Sequence, residues 1–117
     1  MTIREKIMIN SENGIPEKIL IELNSLPVTE RAKRFASIAH SEQFRDNGSL
    51  YINHPRRVVK ILNQNGISEE KIIAAAWLHD VVEDVNYVVI EDIESLFNKD
   101  IADLVASLTL HLPRYPN

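Results

Sequence analysis

The 117-residue sequence contains no cysteine, which removes disulfides, thiolate nucleophiles and cysteine-based zinc or iron–sulfur centres. That absence fits a reducing compartment. Glycine is scarce: there are three, and none falls in a G-x-G-x-x-G or G-x-x-x-x-G-K spacing, so dinucleotide and P-loop phosphate cradles are excluded. Long apolar runs are missing too. The longest, Ile72 to Leu78, is seven residues, against the ~18 needed to cross a bilayer. Met1 to Asn10 carries Arg4, Glu5 and Lys6 with no long apolar core after them, so no signal peptide is expected. No membrane association is expected, and the expected location is the cytoplasm. There is no basic excess, with 13 Lys+Arg against 17 Asp+Glu and a net charge of −4, which argues against a nucleic-acid partner. Alternating, strand-like patterning is nearly absent, and its one candidate, Tyr87 to Ile90, is short and flanked by acids.

What remains is helical. The length suits one domain with one core. We expect 1–14 to be a loosely held, flexible N-terminal segment and 15–117 to be that domain. The pattern predicts six helices and an all-α fold. The first runs from Pro16 to Asn24 on Ile19, Leu20 and Leu23. The second is capped by Thr29, with Ala32, Phe35, Ala36 and Ala39 inward. After a polar loop containing Asn47-Gly48, the third starts near Asn53–Pro55. It carries Val58, Val59, Ile61 and Leu62, and Gly66 is placed to end it left-handed. The fourth, capped by Ser68, runs from Glu69 to Asp84. Its centre, Ile72 to Leu78, is apolar on every side, as in a helix buried within a bundle. The fifth covers Ile90 to Phe97. The sixth covers Asp100 to Leu110, with Ile101, Leu104, Val105 and Leu108 inward.

The chemistry lies in His79-Asp80-Val81-Val82-Glu83-Asp84. At ~100° per residue, His79, Glu83, Asp80 and Asp84 share one arc of ~140°. One imidazole and three carboxylates therefore face one way. Carboxylates crowded in a partly buried place repel unless a cation offsets them. A divalent metal does so with the same atoms as ligands, and imidazole with carboxylate suits Mn, Fe or Zn. The plainer alternative is a solvated helix end with a locally packed histidine, although acids at a helix C-terminus are disfavoured by the dipole. Taken alone, His54 before Pro55 reads as a capping or surface histidine, Arg45 as a surface arginine, and His40 as a structural residue ending the second helix. Tyr51 and Trp77 read as packing residues, and His111 as exposed.

Two longer patterns resemble a known family. Ala39-His40-x-x-Gln43-x-Arg45-x-x-Gly48-x-x-Tyr51-Ile52-x-His54-Pro55 and Ala75-x-x-Leu78-His79-Asp80-Val81-Val82-Glu83-Asp84 resemble the two signatures of HD-domain phosphohydrolases of the RelA/SpoT alarmone type. Phe97-x-x-Asp100-Ile101-x-Asp103-Leu104-Val105, with Thr109, resembles the helix that follows. The resemblance implies an HD-like helical bundle. It also implies a divalent metal, typically manganese with Zn, Fe or Mg as alternatives, on His54, His79 and Asp80. Glu83 and Asp84 would serve the hydrolytic water, and Arg45 would contact a nucleotide substrate. The implied reaction removes the 3′-diphosphate from guanosine 3′,5′-bis(diphosphate) through water activated on the metal.

Two departures stand out. The family loop reads Arg-Lys-x-Gly, whereas Asp46 occupies the lysine position. The family's fourth ligand, an aspartate in a later Ala-Asp-Arg-x-x-Asn-like motif, has no counterpart before Asn117, since Asp103 sits in the earlier helix. The expectation is thus a bundle truncated at its C-terminus. Three alternatives stand beside the hydrolase. The chain is a catalytically weak nucleotide-binding or homo-oligomerising module, or a piece completed by a missing C-terminal segment, or a hydrolase of another nucleotide.

Overall fold

The computed structural model describes residues 17–84 and 88–111. The segment 1–14 and Tyr87 therefore lie outside the described residues. Six helices follow one another: α1 Glu17–Asn24, α2 Val28–Ala39, α3 Asn53–Gln64, α4 Glu70–Asp84, α5 Ile90–Leu96 and α6 Lys99–His111. The expected helix order and boundaries hold to within a residue or two. Among the described residues the only extended pairing is an isolated antiparallel bridge between Phe44 and Leu50.

α4 is the axis of the bundle. It packs against α2, α3 and α6, while α5 rests on α6 and α1 on α2. Every residue from Ile73 to Leu78 is buried, as an all-round apolar helix requires. The α2 stripe of Ala32, Phe35, Ala36 and Ala39 is buried as well. Small side chains on both partners let the α2 and α4 backbones approach closely. Phe35 then meets Phe97 edge to face, with centroids 6.3 Å apart, and links α2 to the end of α5.

Helix ends are set by local chemistry. Gly66 takes φ +81° and stops α3 as expected; Gly48 takes φ +86° in the loop before it. Asn98 Oδ1 accepts the Ile101 N–H at 2.8 Å and caps α6. Asp92 accepts the Val89 N–H at 3.0 Å and fixes the start of α5. Thr29 does not cap α2. Pro27 holds that position, with φ −58° and ψ 157°, so the helix starts one residue ahead of Thr29. α4 likewise begins at Glu70.

Arg31 ties distant ends together. Its guanidinium donates to Leu23 O at 2.8 Å, Leu26 O at 3.0 Å and Leu96 O at 3.1 Å, and lies 5.8 Å from the Phe97 ring centroid. The α1–α2 turn and the C-terminus of α5 are therefore joined by one side chain. One residue expected inside is not: Leu108 is 40% exposed. It sits at the margin of its helical stripe, where Leu104 and Val105, already in place, fill the contact.

Candidate metal centre

Asp80 is the hub of the site. It lies on the C-terminal half of α4, beside the fully buried Val81, and is itself only 6% exposed. Two imidazoles from different helices meet its carboxylate. His79 Nε2 lies 3.0 Å from Oδ1, and His54 Nε2 lies 3.5 Å from Oδ2. His54 arrives from the first turn of α3, where the buried Pro55 pre-sets the helical φ without needing a hydrogen-bond acceptor. Glu83, one turn beyond His79, closes the group. One ligand-type atom from each of His79, Asp80 and Glu83 falls within 4.8 Å of the others.

The electrostatics are those of a carboxylate held ionised by its neighbours. Burial pushes the Asp80 carboxyl upward. The hydrogen bond from His79 and the charges of His79, His54 and His40 outweigh that, and it sits below the ordinary value. His79 moves the opposite way. The Asp80 hydrogen bond raises it despite its burial, aided by the Ala76 carbonyl and Glu83.

These residues fit a divalent cation. Asp80 Oδ2 is buried and accepts no hydrogen bond, which is costly for an ionised oxygen unless something else meets it. The 3.0 Å between His79 Nε2 and Asp80 Oδ1 is roughly the edge of an octahedron with ~2.1 Å ligand distances. Neutral imidazole and carboxylate are the donor set that first-row divalent metals take. His79, Asp80 and Glu83 can therefore hold a metal.

Sequence reasoning gave His40 a merely structural place and overlooked what it touches. His40 is fully buried at the end of α2. Its Nδ1–H donates to Gln43 Oε1 at 2.8 Å, since that oxygen can only accept. Its ring lies 4.8 Å from the Tyr51 ring, and Tyr51 in turn meets the His54 ring edge-on at 6.0 Å. The row His40–Tyr51–His54 thus runs from the core to the Asp80 cluster. A signal was present: His40 continues the Ala32–Ala36 row at i+4, a position facing inward.

The remaining candidates are dispersed. Arg45 is exposed on the loop between α2 and α3. Its N–H donates to Ser49 O at 2.8 Å, and the stem of the loop is closed by Tyr51 N–H on Gln43 O at 2.9 Å, next to the His40–Tyr51 pair. The loop is thus rooted beside the site, with the Arg45 side chain extending outward. Asp84 is the last residue of α4, and its side chain lies outside the described residues, as does that of His111. Asp103 is exposed and pairs with Lys99 at 3.2 Å, away from the cluster. Among the described residues no helix is long and apolar enough to cross a membrane.

Comparison with known proteins gives a consistent result. A family model described as HD domain matches residues 32–111. A Synechocystis protein named probable guanosine-3′,5′-bis(diphosphate) 3′-pyrophosphohydrolase is 46% identical over 79 residues, covering 68% of this chain and 10% of that protein. The guanosine-3′,5′-bis(diphosphate) 3′-pyrophosphohydrolase MESH1 of Xenopus tropicalis is 40% identical over 81 residues, 67% of this chain and 45% of the relative. An Aquifex aeolicus protein with the same enzyme name, without the MESH1 label, is 41% identical over 80 residues, 68% of this chain and 11% of its own length. The chain thus spans about half the length of its MESH1 relative and about a tenth of the longer bacterial ones.

Proposed function

From the premise that the chain belongs to the HD-domain family, we propose that it is a metal-dependent phosphohydrolase acting on guanosine 3′,5′-bis(diphosphate). On this reading it releases pyrophosphate from the 3′ position. The observation that carries the reading is the buried Asp80 carboxylate, met by His54 and His79 and with one oxygen accepting no hydrogen bond. The names of the relatives supply the substrate class.

His54, His79 and Asp80 are the proposed metal ligands, and manganese is the proposed ion. Such a cation supplies Lewis-acid activation of water near neutral pH. The rest of the work falls to the chain. Asp80, held ionised by its imidazole neighbours, keeps an anion where the cation needs one. The Tyr51 ring fixes the orientation of His54. Glu83, half-buried within the same cluster, orients the attacking water and accepts its proton, and Asp84 assists at the helix end. Arg45 reaches outward with no carboxylate partner among the described residues, and its planar fork suits a diphosphate. Water adds to the departing diphosphate, and the 3′-oxygen leaves as a hydroxyl.

The test is release of pyrophosphate from guanosine 3′,5′-bis(diphosphate) in manganese, with GDP as the second product. Asp80→Asn and Glu83→Gln should each lower kcat at least a hundredfold while leaving helicity unchanged. Turnover that persists in both variants, or that prefers a nucleotide lacking the 3′-diphosphate, contradicts the reading.

A further inference from the structure

Between α2, α3 and α4 there is a groove of about 440 Å³. Its rim carries Lys33 from α2 and Arg56 and Lys60 from α3, together with the amides of Asn63 and Gln64; Trp77 of α4 lines it beside them. Arg56 follows His54 by two residues and Trp77 precedes His79 by two. The groove lining shares no residue with the cluster of His54, His79, Asp80 and Glu83. The two are therefore separate sites.

The charge of the groove runs against that of the molecule. The chain is net negative, −4, yet every charged residue lining the groove is a cation. Arg56 and Lys60 stand at i and i+4 on one helix, a like-charge spacing that disfavours the helix unless an anion intervenes. None of the three forms an ion pair among the described residues. Arg56 is steadied by a neutral acceptor, Asn53 Oδ1 at 2.8 Å, which leaves its charge unspent. Lining residues that only donate or that donate and accept, with no carboxylate, are what a phosphate needs. The floor is formed by the buried Val59 and Trp77, whose narrow exposed edges give an apolar contact that a bare inorganic anion does not use.

We propose that this groove is a second ligand site, separate from the metal centre, for a phosphate-bearing nucleotide. Lys33, Arg56 and Lys60 meet the phosphates, and the apolar side takes the base or sugar. This inference stands whether or not the metal centre hydrolyses an alarmone.

Trp77 is the sole tryptophan and forms part of the groove floor, so its emission is one probe of occupancy, with calorimetry as the second. The full chain is titrated with GDP and with inorganic tripolyphosphate in excess EDTA, and each titration is repeated by calorimetry. The expected result is saturable binding in which GDP is tighter than tripolyphosphate. The double variant Lys33→Glu, Lys60→Glu should weaken GDP by about tenfold or more, while Asp80→Asn leaves it unchanged. Both lysines are exposed, so the reversals do not disturb the core. The absence of both heat and emission change at millimolar GDP overturns the proposal. So does an affinity that ignores the charge reversals or follows Asp80→Asn. Binding of a single-stranded oligonucleotide with no response to GDP also overturns it.

Discussion

Arg31→Met removes the guanidinium while keeping most of the aliphatic stem. Three hydrogen bonds are lost, to Leu23 O, Leu26 O and Leu96 O, together with the contact over Phe97. A hydrogen bond from a charged donor contributes roughly 1.5–3 kcal/mol net, and the low end applies at a partly exposed site. Leu23 O keeps the Leu26 N–H at 3.1 Å, so its loss is partial. The cation over the ring adds ~0.5–1 kcal/mol. Against this, the Leu26 and Leu96 carbonyls regain water. The balance is about 3 kcal/mol. For a domain of this size ~4 °C accompanies each kcal/mol, so the midpoint should fall by about 10 °C or more. Thermal unfolding followed by circular dichroism reads this directly. Arg31→Lys should recover only a part, because one ammonium cannot span three carbonyls on two segments. A midpoint within about 2 °C of the parent for Arg31→Met would refute the idea that this side chain joins the α1–α2 turn to α5.

Gly66→Ala tests a backbone effect alone, because a Cβ there meets nothing within 4 Å while φ stays at +81°. It should cost ~1–2 kcal/mol by denaturant titration, and no loss would mean that α3 ends in another conformation. The His79–Asp80 pair predicts a pH dependence in chelator. His79 is raised by Asp80. Its contribution is complete below the unfolded-state histidine value and is lost as pH climbs through the higher folded value. Asp80 is lowered. Its share is present above the ordinary carboxylate value and is lost as pH falls through the folded one. The midpoint of metal-free protein should therefore decline on both sides of mildly acidic pH. The decline on the alkaline side should vanish in His79→Gln, and one that survives there contradicts the assigned pair. Since a proton and a cation compete for His79, manganese should raise the midpoint more as pH rises through that same window, and a gain that shrinks instead would overturn it.

Much of this was readable in the sequence, for identifiable reasons. α4 was legible because an apolar stretch without a polar face has nowhere to sit but inside a bundle. The His79–Asp80–Glu83 grouping follows from helical spacing alone, since all three lie on one helix. His54 was not legible from periodicity. It reaches Asp80 across the α3–α4 packing, and only the family signature pointed to it. The row from His40 through Tyr51 was passed over because a histidine at a helix end looks ordinary until its burial is known. Arg31 was opaque for the same physical reason: one of its acceptors is 65 residues away. Leu108 was misplaced because periodicity marks a stripe, not how wide a stripe the neighbouring helix covers.

If His54, His79 and Asp80 form one divalent-cation site, manganese titrated into the chelator-stripped chain at neutral pH and followed by calorimetry should bind as a single saturable ion, abolished in Asp80→Asn and in His79→Ala while both variants keep the parent's circular dichroism. Binding that survives both substitutions, or no binding in the parent, would contradict that assignment.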